Sequence, residues 1–325
     1  MKRTTIALAA AMGFAIAGSI AAPDVSAQNV KVTPLGSHDG EFCLLDRALI
    51  FEDPDGTRIL YDAGRTVRGA NDPRLGRIDA VLLSHVHGDH LGDVHQPSAN
   101  AGTCAKPAFT VKVVPNSNTV NIVMGKKARF LVGAEMASFF ATKIKKLGGD
   151  PKLVQLVRYG ASKKVGGVTV ASVPAAHSNG LNAAFLDHDH AKALKDTGLT
   201  AYVGPPGGYV LTFSNGLVVY LSGDTGITAE QDLVVRRHYG AKLAVLNIGG
   251  TFTTGPKEAA WVINELVKPN AVIASHANEP ATQGGKVRPG TRTDAFIKAT
   301  KVPVHVPLSG KVMEFDKDGK CVAGC

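Results

Sequence analysis

The stretch Ser84-His85-Val86-His87-Gly88-Asp89-His90 constrains this 325-residue chain more than any other. Three imidazoles and a carboxylate fall together, directly after the apolar run Ile78-Asp79-Ala80-Val81-Leu82-Leu83. Such a run predicts a buried strand, and its end then carries nitrogen and oxygen donors that suit zinc and its neighbours. On an extended segment His85 and His87 project to the same side and can share one metal. Asp89 and His90 lie where the chain turns, placed to serve a second ion beside it. A polar loop with a lone structural histidine is the plainer reading, and it leaves this density of donors without a reason.

A second ion needs more donors, each at the end of another strand. The β-run Val168-Thr169-Val170-Ala171-Ser172-Val173 leads through Pro174 to His177. Leu217–Ser222 leads to Gly223-Asp224-Thr225, and Ala271–Ser275 leads to His276. Four predicted strands thus deliver metal-type side chains at their C-terminal ends, where loops on a rigid scaffold carry function.

The ordered set, an HxHxDH run, a later lone histidine, a Gly-Asp-Thr and a final histidine, resembles the metallo-β-lactamase superfamily of metal-dependent hydrolases. The resemblance runs from about Val30 to about Pro307. It implies that His85, His87 and His177 hold one divalent ion, that Asp89, His90 and His276 hold the other, and that Asp224 bridges them. Tyr61-Asp62-Ala63-Gly64 is similar to the family's strand-end Asp-x-Gly, which implies that Asp62 supports the ligand loop from behind. The implied fold is an α/β (α+β) four-layer αββα sandwich, two mixed sheets flanked by helices. The chain's own pattern fits it: Tyr209–Phe213 and Leu217–Leu221 read as a hairpin around Ser214-Asn215-Gly216. A helix starting at Gly255-Pro256 and reaching about Val267 makes a β-α-β crossover to the His276 strand.

Two such ions stand about 3.5–4 Å apart and hold a water acidified toward neutrality. The expected chemistry is attack by that bridging hydroxide on a small ester-like substrate, with Asp89 as the catalytic carboxylate that orients the nucleophile and returns its proton to the leaving group. Zinc is the default metal; manganese, iron and nickel tolerate the same donors. Asp224 stands where the family's true zinc β-lactamases lack a bridging aspartate, which disfavours β-lactams. The full ligand set disfavours a single-iron dioxygenase, and a flavodiiron protein is not expected. Gly249-Gly250-Thr251-Phe252-Thr253 resembles the branch with sugar-phosphate lactonases. A lactone or phosphodiester is therefore expected ahead of a β-lactam or thioester, and a non-catalytic metal-dependent binding protein is the reading from another class.

Met1-Lys2-Arg3, an Ala-rich apolar stretch and Val25-Ser26-Ala27 read as a signal peptide, residues 1–27, with the mature chain starting at Gln28 and an exported, periplasmic address. No stable membrane insertion is expected once it is removed. The remainder, 28–325, reads as one hydrolase domain with insertions at about 95–155 and 178–208. Its loss of Lys2, Arg3 and Asp24 lowers the formal net charge from +9 to +8. That balance favours anionic small-molecule substrates. Nucleic acid is not expected as a partner, because the basic residues are scattered and lack interleaved aromatics.

Within the first insertion Gly133–Leu147 reads as a helix, with Met136, Phe139, Phe140 and Ile144 on one face. Residues 30–62 read as opening hairpins: Val30–Pro34, Cys43–Phe51 and Arg58–Tyr61. In the second insertion Asp187-His188-Asp189-His190 reads as the solvated start of a helix rather than a metal site, and 178–208 is the expected substrate-facing rim. Cys43, Cys104, Cys321 and Cys325 occupy no expected ligand position. Export permits disulfides among them, in any of three pairings.

Overall fold

The computed structural model describes Met1 and residues 29–325. Apart from Met1, the expected signal peptide and its cleavage site lie outside the described residues. Two large sheets form the centre. The first has eight strands in the order Val154–Leu156, Arg129–Val132, Ala80–Leu82, Arg58–Tyr61, Leu49–Glu52, Val30–Pro34, Met313–Phe315 and Cys321–Ala323. The second has seven: Ser162–Val165, Val168–Pro174, Gly207–Thr212, Val218–Leu221, Leu243–Asn247, Ala271–Ser275 and Val304–His305. Each sheet is antiparallel in one part and parallel in the other.

The period of two along each strand sorts the apolar side chains into layers. Ile59, Tyr61, Leu82, Val219, Leu221, Val245 and Ile273 point between the sheets and form one buried cluster. Leu60, Val81 and Phe130 point the other way and pack with Val120, Val123, Met136, Phe140 and Ile144 of the helices Asn118–Lys126 and Met136–Lys146. On the far face Tyr220, Ala244, Leu246 and Val272 meet Val235, Ala259, Ile263 and Phe296 from the helical segments Gln231–His238, Pro256–Val267 and Arg292–Ala299. The result is the expected αββα sandwich. Full burial of a side chain such as Phe140 contributes about 2 kcal/mol, so both outer layers are held firmly.

Several expectations change in detail. The stretch 95–155 is only partly an insertion, because Arg129–Val132 pairs in parallel with Ala80–Leu82 and Val154–Leu156 extends the same sheet. The expected strand Cys43–Phe51 shrinks to Leu49–Glu52. Its first part is a turn instead, since Asp46 accepts the backbone N–H groups of Ser37 and Cys43 at 2.9 and 2.8 Å and Leu45 has φ 64°. The helix His188–Thr197 starts where expected, with His188 and His190 exposed. The cysteines pair as Cys43–Cys104 and Cys321–Cys325. Among the described residues no helix is long and apolar enough to cross a membrane.

Candidate metal centre

Ala80–Leu82, Val168–Pro174, Val218–Leu221 and Ala271–Ser275 all end at one rim of the sandwich. The structure brings His85, His87, Asp89, His90, His177, Asp224 and His276 together there, in three overlapping groups. In each of His85/His87/His177, Asp89/His90/His276 and His85/His90/Asp224, the ligand atoms lie within 4.8 Å of one another. His87 Nδ1 is 3.0 Å from His85 Nε2 and 3.2 Å from His177 Nε2. His87 ends the extended stretch, and one helical turn, Gly88–Leu91, carries Asp89 and His90 to the other side. Asp224 sits between the halves. Its Oδ2 is 2.9 Å from His276 Nε2 and 3.7 Å from both His85 Nε2 and His177 Nε2, while Oδ1 is 3.3 Å from His90 Nε2.

The donors fit divalent ions. Nitrogens converging at these separations match the edges of a polyhedron with metal–nitrogen bonds of about 2.0–2.1 Å. His90 Nε2 and Asp224 Oδ1 are buried without an aligned hydrogen bond, a costly condition unless a cation satisfies them. The electrostatics agree. Burial pushes His85, His87 and His177 below the ordinary imidazole value of 6.5, and the neighbouring histidines add to this. All three are therefore neutral donors at pH 7. Burial opposes charge on His90 as well, but Asp224, Asp89 and Asp62 outweigh it and push its pKa up to about 10. Three carboxylates thus demand positive charge on that side of the site.

A supporting layer fixes the donors, and sequence reasoning found only part of it. Asp62 accepts from Ser84 N at 2.9 Å, Ser84 Oγ at 2.7 Å and His90 Nδ1 at 2.8 Å. Ser84 Oγ in turn lies 2.9 Å from His85 Nδ1. One buried carboxylate thereby sets the ring orientation of a donor in each half. Asn247 receives Thr225 N at 3.2 Å and Ser222 Oγ at 3.1 Å, which locks the Asp224 turn. Thr225 Oγ1 accepts Ala176 N at 3.0 Å and ties that turn to His177. Asp62, His276 and Asn278 all hold φ between 43° and 54°, a left-handed region that side-chain-bearing residues seldom adopt. Gly249 must be glycine: a Cβ there would stand 2.4 Å from His276 O.

Arg47 was missed altogether. It is 4 % exposed, and its Nε and Nη2 donate to Asp89 Oδ2 at 3.1 and 3.0 Å. Nη1 donates to Asp46 O at 3.1 Å and Nη2 to Asn278 Oδ1 at 2.5 Å. No local motif marks an arginine in the turn before a strand. Burial raises the Asp89 pKa, but His90, His276 and Arg47 prevail and hold it well below the ordinary 3.8.

The centre opens into a cleft of about 600 Å³. Its walls come from Leu44 and Leu45, from Thr251 and Phe252, and from Arg65 and Arg292. Only Ser178 joins them from the segment 178–208 expected to form the rim; Phe185 and Asp187 turn instead to the helix Met136–Lys146, whose Lys143 and Lys146 donate to Phe185 O and Asp187 Oδ2. The Cys43–Cys104 disulfide and the Leu44 N to Cys104 O bond of 3.1 Å brace the Leu44–Leu45 wall.

Residues 57–277 match the model of the β-lactamase superfamily domain, a span that contains every candidate ligand. A metal-dependent hydrolase of Cupriavidus necator is 26 % identical over 325 aligned positions, covering 93 % of this chain and 96 % of that one. Another from Pyrococcus furiosus is 29 % identical, covering 77 % and 85 %. Among solved structures, a metallo hydrolase from Ignicoccus hospitalis shares the fold with a TM-score of 0.58 at 21 % identity, covering 89 % of this chain and 99 % of that one. A metallo-β-lactamase fold protein of Bacillus subtilis gives 0.53 at 15 %, covering 88 % and 99 %. With the matched span, the αββα sandwich and the cluster of donors at its rim, the chain belongs to the metallo-β-lactamase superfamily of metal-dependent hydrolases.

Proposed function

We propose that the chain is an exported, periplasmic hydrolase that works with two divalent ions on a small ester-like substrate, a lactone or a phosphodiester. The observation that carries this is Asp224, whose two oxygens reach histidines of both halves within 3.7 Å. A carboxylate so placed suits a bridge between two ions. His85, His87 and His177 would hold one, Asp89, His90 and His276 the other, with Asp62 orienting the rings from behind.

When bound, the ions supply an acidified water and a Lewis acid for the substrate oxygen. The side chains supply the rest. Arg47 grips Asp89 Oδ2, the oxygen that also lies 3.7 and 3.5 Å from His90 and His276 Nε2, and fixes the carboxylate on the wall of the cleft. There Asp89 takes the proton of the attacking water and returns it to the departing oxygen. Its low pKa makes it a weak base, which suffices for a water already acidified. Arg65 and Arg292 give the cleft positive walls, and Leu44, Leu45 and Phe252 take an apolar substituent. Arg65 is held by Asp93 at 2.6 and 2.8 Å, so it is a fixed charge. These walls favour an anionic substrate over a neutral one.

The test is a panel of lactones, aryl phosphodiesters, thioesters and a cephalosporin, run with zinc- and manganese-loaded protein and with Asp89→Ala as blank. Turnover of a lactone or phosphodiester, lost in the blank, supports the reading. A cephalosporin or thioester turned over faster than either would overturn the substrate class. No turnover of any class would favour a metal-dependent binding protein.

A further inference from the structure

A second cluster of metal donors lies away from the hydrolase centre, at the open side of the sandwich. Val304–His305 is the last strand of the seven-stranded sheet, and Cys321–Ala323 the last of the eight-stranded one. His305 pairs with Ile273 and Cys321 with Phe315, and both partners face the space between the sheets. Residues paired across a ladder share a face. The pairing therefore turns the imidazole and the first sulfur toward each other from opposite sheets. Cys325 folds back to join them, so that a His305 ring nitrogen and both sulfurs lie within 4.8 Å of one another.

His305 supplies an independent sign. Its Nε2 is buried and has no hydrogen-bond partner, while its ring leans on Phe315 with centroids 5.4 Å apart. A buried imidazole nitrogen without a partner is costly, and it needs an explanation. Burial also pushes the His305 pKa below 6.5, which leaves a free lone pair at neutral pH. In the structure the two sulfurs are joined as a disulfide, so the donor set is complete only once that bond is opened.

We propose that reduction of Cys321–Cys325 creates a zinc site formed by His305, Cys321 and Cys325 that clasps the edges of the two sheets. A phosphine reductant breaks the S–S bond and is oxidised to its oxide, with one water supplying the oxygen and the two thiol protons. Zinc then displaces those protons as it binds. Two thiolates and a neutral imidazole balance its charge and leave one position for solvent. Bonds of about 2.3 Å to sulfur and 2.0 Å to nitrogen set the donors roughly 3.5 Å apart, within the observed cluster. In the oxidised chain the disulfide closes only a short loop within the C-terminal segment, whereas in the reduced chain the metal ties that segment to His305 of the other sheet.

The hydrolase centre contains no cysteine, so thiolate-to-cobalt charge-transfer absorption separates it from the cysteine pairs, and Cys325→Ser tells the two pairs apart. The full chain is treated with a phosphine, freed of it, and titrated with Co²⁺ and then Zn²⁺, beside untreated protein. The expected result is one more zinc per reduced chain than per oxidised chain, with the absorption band in the reduced form only. Cys325→Ser, a change at the exposed last residue, should abolish both, and His305→Ala should weaken binding at least tenfold. Reduction also frees Cys43 and Cys104, which Cys325→Ser retains. A band surviving in that variant would belong to them and would overturn the proposal. Absence of extra zinc in the reduced wild type, or indifference to His305→Ala, would overturn it equally.

Discussion

Replacing Arg47 by Met removes a buried cation while keeping most of its volume. Three N–H groups of the guanidinium are committed to Asp89 and Asp46, and Nη2 also holds Asn278. The Arg47 side chain is 2 % exposed and that of Asp89 20 %, so water compensates little when the pair is broken. Removing one member of a buried ion pair costs about 3–5 kcal/mol. Asp89 keeps the raised-pKa His90 and the His276 ring at 3.7 and 3.5 Å, which places the expected loss near the lower end, about 3 kcal/mol. The assay is urea unfolding of chelated wild type and Arg47→Met, because bound ions would neutralise Asp89 and mask the effect. Arg47→Lys restores the charge but not the two-pronged grip, and should recover about half of the loss. A chelated Arg47→Met variant within 0.5 kcal/mol of wild type would refute the claim that Arg47 holds Asp89 in place.

Three further outcomes follow from other parts of the molecule. Asp62→Asn forfeits the acceptor shared by Ser84 and His90 and should weaken metal binding about 10–100-fold in competition with a chelator; unchanged affinity would remove Asp62 from the support of the site. Asp72 is raised by burial but lowered more by Arg74 and the backbone N–H groups of Arg68 and Arg74, which hold it at about 2 against an ordinary 3.8. Its folded pKa lies below its unfolded one, so its stabilisation is present above pH 3.8 and is lost as pH falls toward 2. Asp72→Asn should accordingly be about 2 kcal/mol less stable than wild type at pH 6, with the gap closing by pH 2; a gap independent of pH would contradict this. Protein recovered from the envelope fraction should begin at Gln28 by mass spectrometry, and an intact Met1 would rule out the proposed processing.

The donors were legible because each is a rare residue type at the end of a β-run, and strand ends in this architecture converge on one rim. The hairpin of Gly207–Thr212 and Val218–Leu221 was legible for a similar local reason, a turn signal between alternating apolar runs. What failed was long-range. Arg129–Val132 is four residues whose place is set by parallel pairing with Ala80–Leu82, a partner far away in sequence. The cleft walls at Leu44, Phe252 and Arg292 come from three separate loops with no shared pattern. Arg47 is visible only once the Asp46 turn aims it at Asp89. The cysteine pairing likewise follows from which loops the sheets bring together.

The proposed chemistry requires that the oxidised chain bind two ions, with Asp224 shared between them. Elemental analysis after zinc or manganese loading and removal of excess metal counts them. The expected result is close to two ions per wild-type chain, loss of mainly one in His177→Ala or His276→Ala, and weakened binding of both in Asp224→Ala. One ion or fewer in the loaded wild type, or two retained with unchanged affinity in Asp224→Ala, would contradict it.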